Sequence, residues 1–410
     1  MTSPSPSSER IAARTLGVGL VLLLAALGLA RGLAALVERG SPPERLHQFS
    51  EGTERLVNFL DALPGIAQRD DAVIVFGSSI IQHGFSPETF EQHVGAPVTA
   101  YNVGFPGVDP ETQSLLARRV ASTFEPTGHK ALLALVEFTP FQATLARGRA
   151  VNFRELSAIK KALLADPLAL ARIARRSPEE ASHLAALRLL GGSSPKVMKS
   201  LLEDQFLDRQ QPDWWPVPES LDAVLLERRD WVTRIHEGRM AAEHRQLPEW
   251  DPVHRGEVRW IFDGTREDYL AWARLRSTPE ALKPDLEWRI ETSDILELRF
   301  DEEQVRYFIE AVRALASVSR ETRVVLAPRN PAWNQPTPGG RARLAAVLAL
   351  IEKETGAKVL DLAESPEFTA EDFIDVTHLN ESSGRPKFSR RLAEAVAEQW
   401  GRGVAKDAAP

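Results

Sequence analysis

The chain contains no cysteine. That excludes structural disulfides, cysteine-held zinc and thiol catalysis, and it is compatible with export. It also lacks any excess of basic charge. Lys and Arg number 50 against 57 Asp and Glu, a net charge of −7, whereas a nucleic-acid-binding domain is expected to be basic. No nucleic-acid partner is expected. Neither a Gly-x-Gly-x-x-Gly turn nor a Walker pattern occurs, so nucleotide-dependent chemistry has no support. None of the nine histidines stands at helical metal-ligand spacing with a carboxylate partner, so no metal and no other cofactor is expected. What is present is 410 residues that are 43% hydrophobic, enough for one large domain with a substantial insertion.

The N-terminus carries a long apolar run. Residues 1–14 read as a disordered, Pro/Ser-rich cytoplasmic tail. Residues 15–37 follow as the expected transmembrane anchor, apolar from Leu16 to Val37 apart from Arg31 and the glycines. At ~1.5 Å per residue such a run spans roughly 33 Å, enough to cross a bilayer. Arg10 and Arg14 precede it and favour a cytoplasmic N-terminus, and Arg31 can snorkel to the headgroups. A cleaved signal peptide is the rival reading, although no clear Ala-x-Ala site follows. Either reading makes the rest of the chain extracytoplasmic, periplasmic or extracellular. Residues 38–69 read as a linker with a short amphipathic helix.

The remainder alternates strand and helix patterns. Apolar runs at 72–77, 98–103, 131–137, 323–327 and 358–360 read as buried parallel strands. Helical patterns fall between them, including 110–122, which opens on Asp109 and Pro110, and 341–354. The implied fold class is α/β, a three-layer flavodoxin-like parallel sheet with a long helical insertion. The insertion, 142–320, reads as mostly helical, with helices over 157–176 and 179–203. It holds seven of the nine tryptophans. Trp faces stack on sugar rings, which makes Trp214 and Trp215 candidate substrate-binding residues of a glycan-binding lid. The alternative is that these rings anchor a helical core.

Two short segments carry chemistry. After the first strand, Gly77 permits a sharp turn into Ser78-Ser79, where a helix should begin. A serine there lies at the carboxyl end of the sheet beside helix N–H groups, and is either a nucleophile or an N-cap. Near the C-terminus stands Asp375-Val376-Thr377-His378. Asp and His three apart in a loop can fold so that the carboxylate holds Nδ1–H, leaving Nε2 to take a proton from a serine. His83, four residues after Ser79, either faces the same cleft or is a partly exposed helix residue. At the end of the fourth strand, Arg329 and Asn330 are candidates for substrate or anion binding, with a plain turn as the alternative.

The pairing of a first-strand serine with a last-loop Asp-x-x-His resembles the SGNH (GDSL-like) hydrolases. The family's Gly-Asp-Ser block is matched by Gly77-Ser78-Ser79, with Ser79 at the nucleophile position. Its Asn-x-Gly-x-x-Gly block is matched from Asn102 through Gly104 to Gly107, and its Asp-x-x-His block by Asp375 and His378. The third block departs: the family expects Gly-x-Asn-Asp, and this chain has Glu137-Phe138-Thr139-Pro140 with no Asn. The resemblance covers 70–141 and 321–400, with a disordered tail expected over 401–410. It implies catalysis by Ser79, His378 and Asp375. An oxyanion hole would be built from the Ser79 and Gly107 amides, with Thr139 as a third donor, and Asn102 would contribute to substrate binding. It further implies an esterase or O-acyltransferase acting on an acylated small molecule or envelope polysaccharide, with a multi-spanning membrane acyltransferase as a candidate partner. The missing Asn favours the alternative of a non-catalytic envelope scaffold or glycan-binding protein.

Overall fold

A computed structural model of the chain describes residues 43–149, 151–189, 245–247, 250–261, 279–332 and 335–407, with a few single positions between 18 and 32. Two compact units are present. One comprises residues 1–50 and 161–216, the other 51–160 and 217–410. The expected span Leu16–Val37 lies largely outside the described residues, as do Trp214 and Trp215. Among the described residues no helix is long and apolar enough to cross a membrane.

The second unit is built on seven strands: β1 (Ala72–Gly77), β2 (Thr99–Gly104), β3 (Ala131–Glu137), β4 (Arg245–Leu247), β5 (Arg259–Ile261), β6 (Ser319–Leu326) and β7 (Lys358–Asp361). β4 and β5 form a separate antiparallel pair. The other five make one all-parallel sheet in the order β2-β1-β3-β6-β7. Every residue of β1 is buried, as its unbroken apolar sequence requires of a central parallel strand. The chain winds outward in opposite directions from β1 and β3. Their carboxyl ends therefore open a crevice at the point where strand order reverses.

Helices cover both sheet faces. The described helices of the whole chain, of which α7 and α8 belong to the first unit, are α1 (Pro43–Ile66), α2 (Ser79–Gly84), α3 (Pro87–His93), α4 (Pro110–Phe124), α5 (Leu145–Arg149), α6 (Val151–Leu164), α7 (Pro167–Arg176), α8 (Pro178–Leu189), α9 (Pro279–Ser293), α10 (Glu302–Ser317), α11 (Pro338–Thr355) and α12 (Gly384–Asp407). α2, α3 and α12 pack together. Their Ile81, Phe85, Phe90, Phe388 and Leu392 join Val73, Val75, Leu133, Leu135 and Val325 in one apolar cluster. The alternate strand residues Ile74, Phe76, Ala134, Val136 and Val324 are buried on the opposite face, where α10 meets β3, β6 and α4.

Several elements differ from the sequence reading. The segment expected as a linker is α1, and its Leu56, Phe59, Leu63 and Ile66 are core residues. Phe59 packs edge-on against Phe105 and Trp250, at ring-centroid distances of 5.8 and 5.4 Å. The helix expected over 157–176 is broken into α6 and α7, because Asp166 caps the N–H of Ala169 at 2.6 Å and Pro167 takes the first helical position. α10, inside the expected insertion, is the crossover helix of the sheet. α12 continues through 401–407 to Asp407, where the sequence suggests a disordered tail.

Candidate functional site

The turn after β1 separates the two roles open to a serine. Ser78 is the N-cap of α2: it is extended, and its Oγ accepts the N–H of Ile80 at 3.1 Å. Ser79, in the first turn of the helix, is partly exposed and points the other way. Its Oγ lies 2.8 Å from His378 Nε2. Gly77 is obligatory here, since a Cβ would collide with the Glu137 carboxylate and with Ile81.

The loop between β7 and α12 holds the imidazole. Phe373 and Leu379 bridge its two ends, and Ile374 N–H donates to His378 C=O at 2.9 Å. Asn380 Oδ1 accepts the N–H groups of Ser383 and Gly384 at 2.8 and 3.0 Å, fixing the loop to the start of α12. Within this frame Asp375 Oδ1 accepts the N–H groups of Thr377 and His378, each at 2.7 Å. Its Oδ2 accepts from His378 Nδ1 at 2.7 Å. An ionised carboxylate only accepts, so Nδ1 carries the proton and Nε2 accepts from the Ser79 hydroxyl. Burial pushes the Asp375 carboxyl up. The His378 charge and hydrogen bond, with Arg289 and the Thr377 N–H, outweigh this and hold it well below the usual aspartate range.

Glu137 was not singled out by sequence. It ends β3 directly behind the turn, 1% exposed. Its Oε2 accepts Ser78 N–H at 2.7 Å, and its Oε1 accepts the hydroxyls of Thr139 at 2.6 Å and Ser78 at 3.2 Å. A carboxylate closing an otherwise apolar strand was the available signal. His83 packs its ring edge-on against His378, with centroids 5.3 Å apart. One helical turn after Ser79 places it there. Burial, reinforced by His378 and Arg385, pushes it well below the usual histidine range, so it is neutral at physiological pH.

The other sequence candidates divide. Gly107 sits at φ +66°, a left-handed position that favours glycine, in the loop after β2. Thr139 lines a cleft beside these residues, and its hydroxyl donates to Glu137 Oε1 at 2.6 Å, with Ser78 Oγ at 3.4 Å. Asn102 does not face substrate. It is fully buried, and its Nδ2 donates to the carbonyls of Ile81, Gln82 and Phe85 at 3.0, 3.1 and 2.8 Å, closing the end of α2. Asn330 is likewise buried and donates to the Asp375 carbonyl at 3.3 Å, so it braces the loop. Arg329 lines the cleft, paired with Glu364 at 3.0 Å. The cleft walls include Ile80, Phe138, Phe141, Ile295, Leu326 and Thr377. Ser79 and His378 stand beside this apolar space, not within its lining. Of the tryptophans, Trp250 is an anchor: it is 1% exposed and donates Nε1–H to Asn102 C=O at 2.9 Å.

Ser79, His378 and Asp375 thus form a continuous chain of hydrogen bonds from a partly exposed hydroxyl to a half-buried carboxylate. Such a chain can activate the hydroxyl as a nucleophile. No protein-family model matches the chain, and no curated protein matches it.

Proposed function

We propose that the protein is a serine-dependent acyl-transfer enzyme, an esterase or O-acyltransferase of SGNH type on a flavodoxin-like sheet. The observation that carries this reading is the 2.8 Å contact between Ser79 Oγ and His378 Nε2, between residues 299 positions apart. A fold that used these residues only for packing has no need of that alignment. In the proposed reaction Ser79 Oγ attacks an ester carbonyl as its proton passes to His378 Nε2. Asp375 holds the ring and stabilises the imidazolium. The tetrahedral oxyanion is received by the Ser79 and Gly107 amides. Collapse expels the alcohol, which takes the proton from His378. Water or an acceptor hydroxyl then repeats the sequence on the acyl-enzyme. The apolar cleft beside Ser79 suits the acyl portion.

The expected setting is extracytoplasmic, tethered by the apolar N-terminal segment. The expected substrate is an acylated envelope polysaccharide or small molecule, with a multi-spanning membrane acyltransferase as a candidate donor partner. One observation favours a non-catalytic scaffold instead: Thr139, the expected third oxyanion donor, is committed to Glu137. Reaction of the full chain with 4-nitrophenyl acetate separates the two. An enzyme releases a burst of nitrophenolate and carries one acetyl group on the Ser79 peptide. The burst is lost in Ser79→Ala and falls at least about a hundredfold in His378→Ala. A wild-type protein with no burst and no acetylated Ser79 would favour the scaffold.

A further inference from the structure

The loop between α9 and α10, residues 294–301, supplies part of the wall of the cleft beside Ser79. Ile295 and Leu298 line that cleft, and both are buried. Ile80 and Thr377, the sequence neighbours of Ser79 and His378, line it too. The loop holds an unfavourable backbone. Among the described residues other than glycine, only Arg255, Asp294 and Leu298 have a left-handed φ, and the two in this loop each stand at +49°. Aspartate is tolerated there because its short carboxylate bonds locally. Asp294 Oδ2 does so, accepting the N–H and Nε–H of Arg299 at 2.9 and 2.8 Å. A leucine has no such compensation, and glycine is the residue that position favours. The conformation persists because the loop is fixed from several directions. Leu298 N–H donates to Asp294 C=O at 2.9 Å, Thr144 Oγ1 to Ser293 C=O at 3.0 Å, and Thr337 N–H to Leu296 C=O at 2.9 Å. Gly340 on α11 lies so close to Leu296 C=O that a Cβ would strike it.

We propose that Leu298, with Ile295 beside it, sets the length of acyl group the cleft accepts, admitting acetyl or propionyl and refusing longer chains. The proposal rests on the serine-enzyme reading above and names the acyl class for the same site. A side chain that its own backbone disfavours stands where glycine would fit, and what that side chain does there is fill the cleft wall. The space left is small. Its free volume is about 30 Å³, where a water molecule needs on the order of 10–15 Å³ by the same measure, so a short acyl group fits and a long one does not. The lining also calls for a neutral chain. Its two charged groups already have partners, Glu137 in Ser78 and Thr139, and Arg329 in Glu364. The rest of the lining next to them is apolar, including Phe138, Phe141 and Leu326.

The test is the preference of the full-length protein between 4-nitrophenyl acetate and 4-nitrophenyl hexanoate, in wild type, Leu298→Gly and Ile295→Ala. Glycine suits the left-handed backbone at 298, and Ile295→Ala opens the same wall without touching that position. Wild type is expected to favour acetate by at least about tenfold in kcat/KM, and each variant to raise the hexanoate-to-acetate ratio by at least about tenfold. A wild type that takes both esters equally overturns the proposal, and so does an unchanged ratio in the folded variants. Binding is read separately in the Ser79→Ala background, where the ester is not consumed. Saturation-transfer NMR is expected to detect ethyl hexanoate on the protein only when Leu298→Gly is added. That result, in a protein whose wild type never acylates, would leave the cleft wall standing and count against the enzyme reading alone. Should neither wall variant fold, Ser79→Ala decides: ethyl acetate must bind and ethyl hexanoate must not, and equal binding of the two overturns the proposal.

Discussion

A buried primary amide with its hydrogen bonds made braces backbone and cannot recognise a ligand, and Asn102 is such a group. Its Nδ2 serves three carbonyls at the end of α2, and its Oδ1 accepts Gly104 N–H at 3.1 Å. Asn102→Leu strands those carbonyls and is expected to cost about 2–4 kcal/mol, read as a fall in the urea midpoint. Unchanged stability with weakened ester binding would contradict that assignment. The serine pair was more legible. A Gly-Ser-Ser turn after an apolar strand offers one cap and one further hydroxyl, and the structure makes Ser78 the cap and sets Ser79 against His378. The amide could not be ordered so. Sequence shows that Asn102 heads a turn motif, but not that α2 ends against its side chain. The bracing role of Asn330 was hidden for the same reason, because its partner, the Asp375 carbonyl, lies 45 residues away.

At the scale of elements, α1 shows how an amphipathic stripe can understate a helix. Its apolar residues mark a buried face, but Arg55 on that helix is also fully buried. Its guanidinium donates to the carbonyls of Gly104 and Gly256 at 2.7 and 2.6 Å and to Asn102 at 3.2 Å. Arg55 thus clamps the end of β2 to the segment after Trp250. Arg55→Ala is expected to destabilise the protein by about 3 kcal/mol or more, since several buried carbonyls lose their donor. A change within ~0.5 kcal/mol would show that α1 is only a connector. Strand positions were legible because parallel strands buried on both faces read as unbroken apolar runs. β3 falls at 131–137 as expected, and β6 begins at Ser319, earlier than its apolar portion. Helix ends were less legible: Pro167 lies within a continuous apolar period, and periodicity alone does not register a cap.

Across the molecule, hydrogen-bonded carboxylates set the response to acid. Asp375 is held below the usual aspartate range by His378, and Asp372 by Lys387 at 2.5 Å and the Thr369 N–H at 2.9 Å, in each case against burial, which pushes upward. Depressed carboxyls contribute stability that is fully present above their unfolded value and is lost as pH falls below it. Glu137 has the opposite sign: its raised carboxyl gains stability as pH falls from its folded value toward the unfolded one. Unfolding free energy is therefore expected to drop steeply below about pH 4, where the aspartates dominate, and Asp372→Asn should flatten that drop. An equally steep drop in Asp372→Asn would place the acid sensitivity elsewhere. All of these groups serve one arrangement, a serine at the switch point of a parallel sheet facing a histidine from the last loop. The measurement that tests it most directly is fluorophosphonate labelling of the full-length protein with the adduct mapped by peptide mass. The account predicts a single adduct on Ser79 that is abolished in His378→Ala while Ser78 stays unmodified. A folded protein that takes no label, or takes it on another serine, would contradict it.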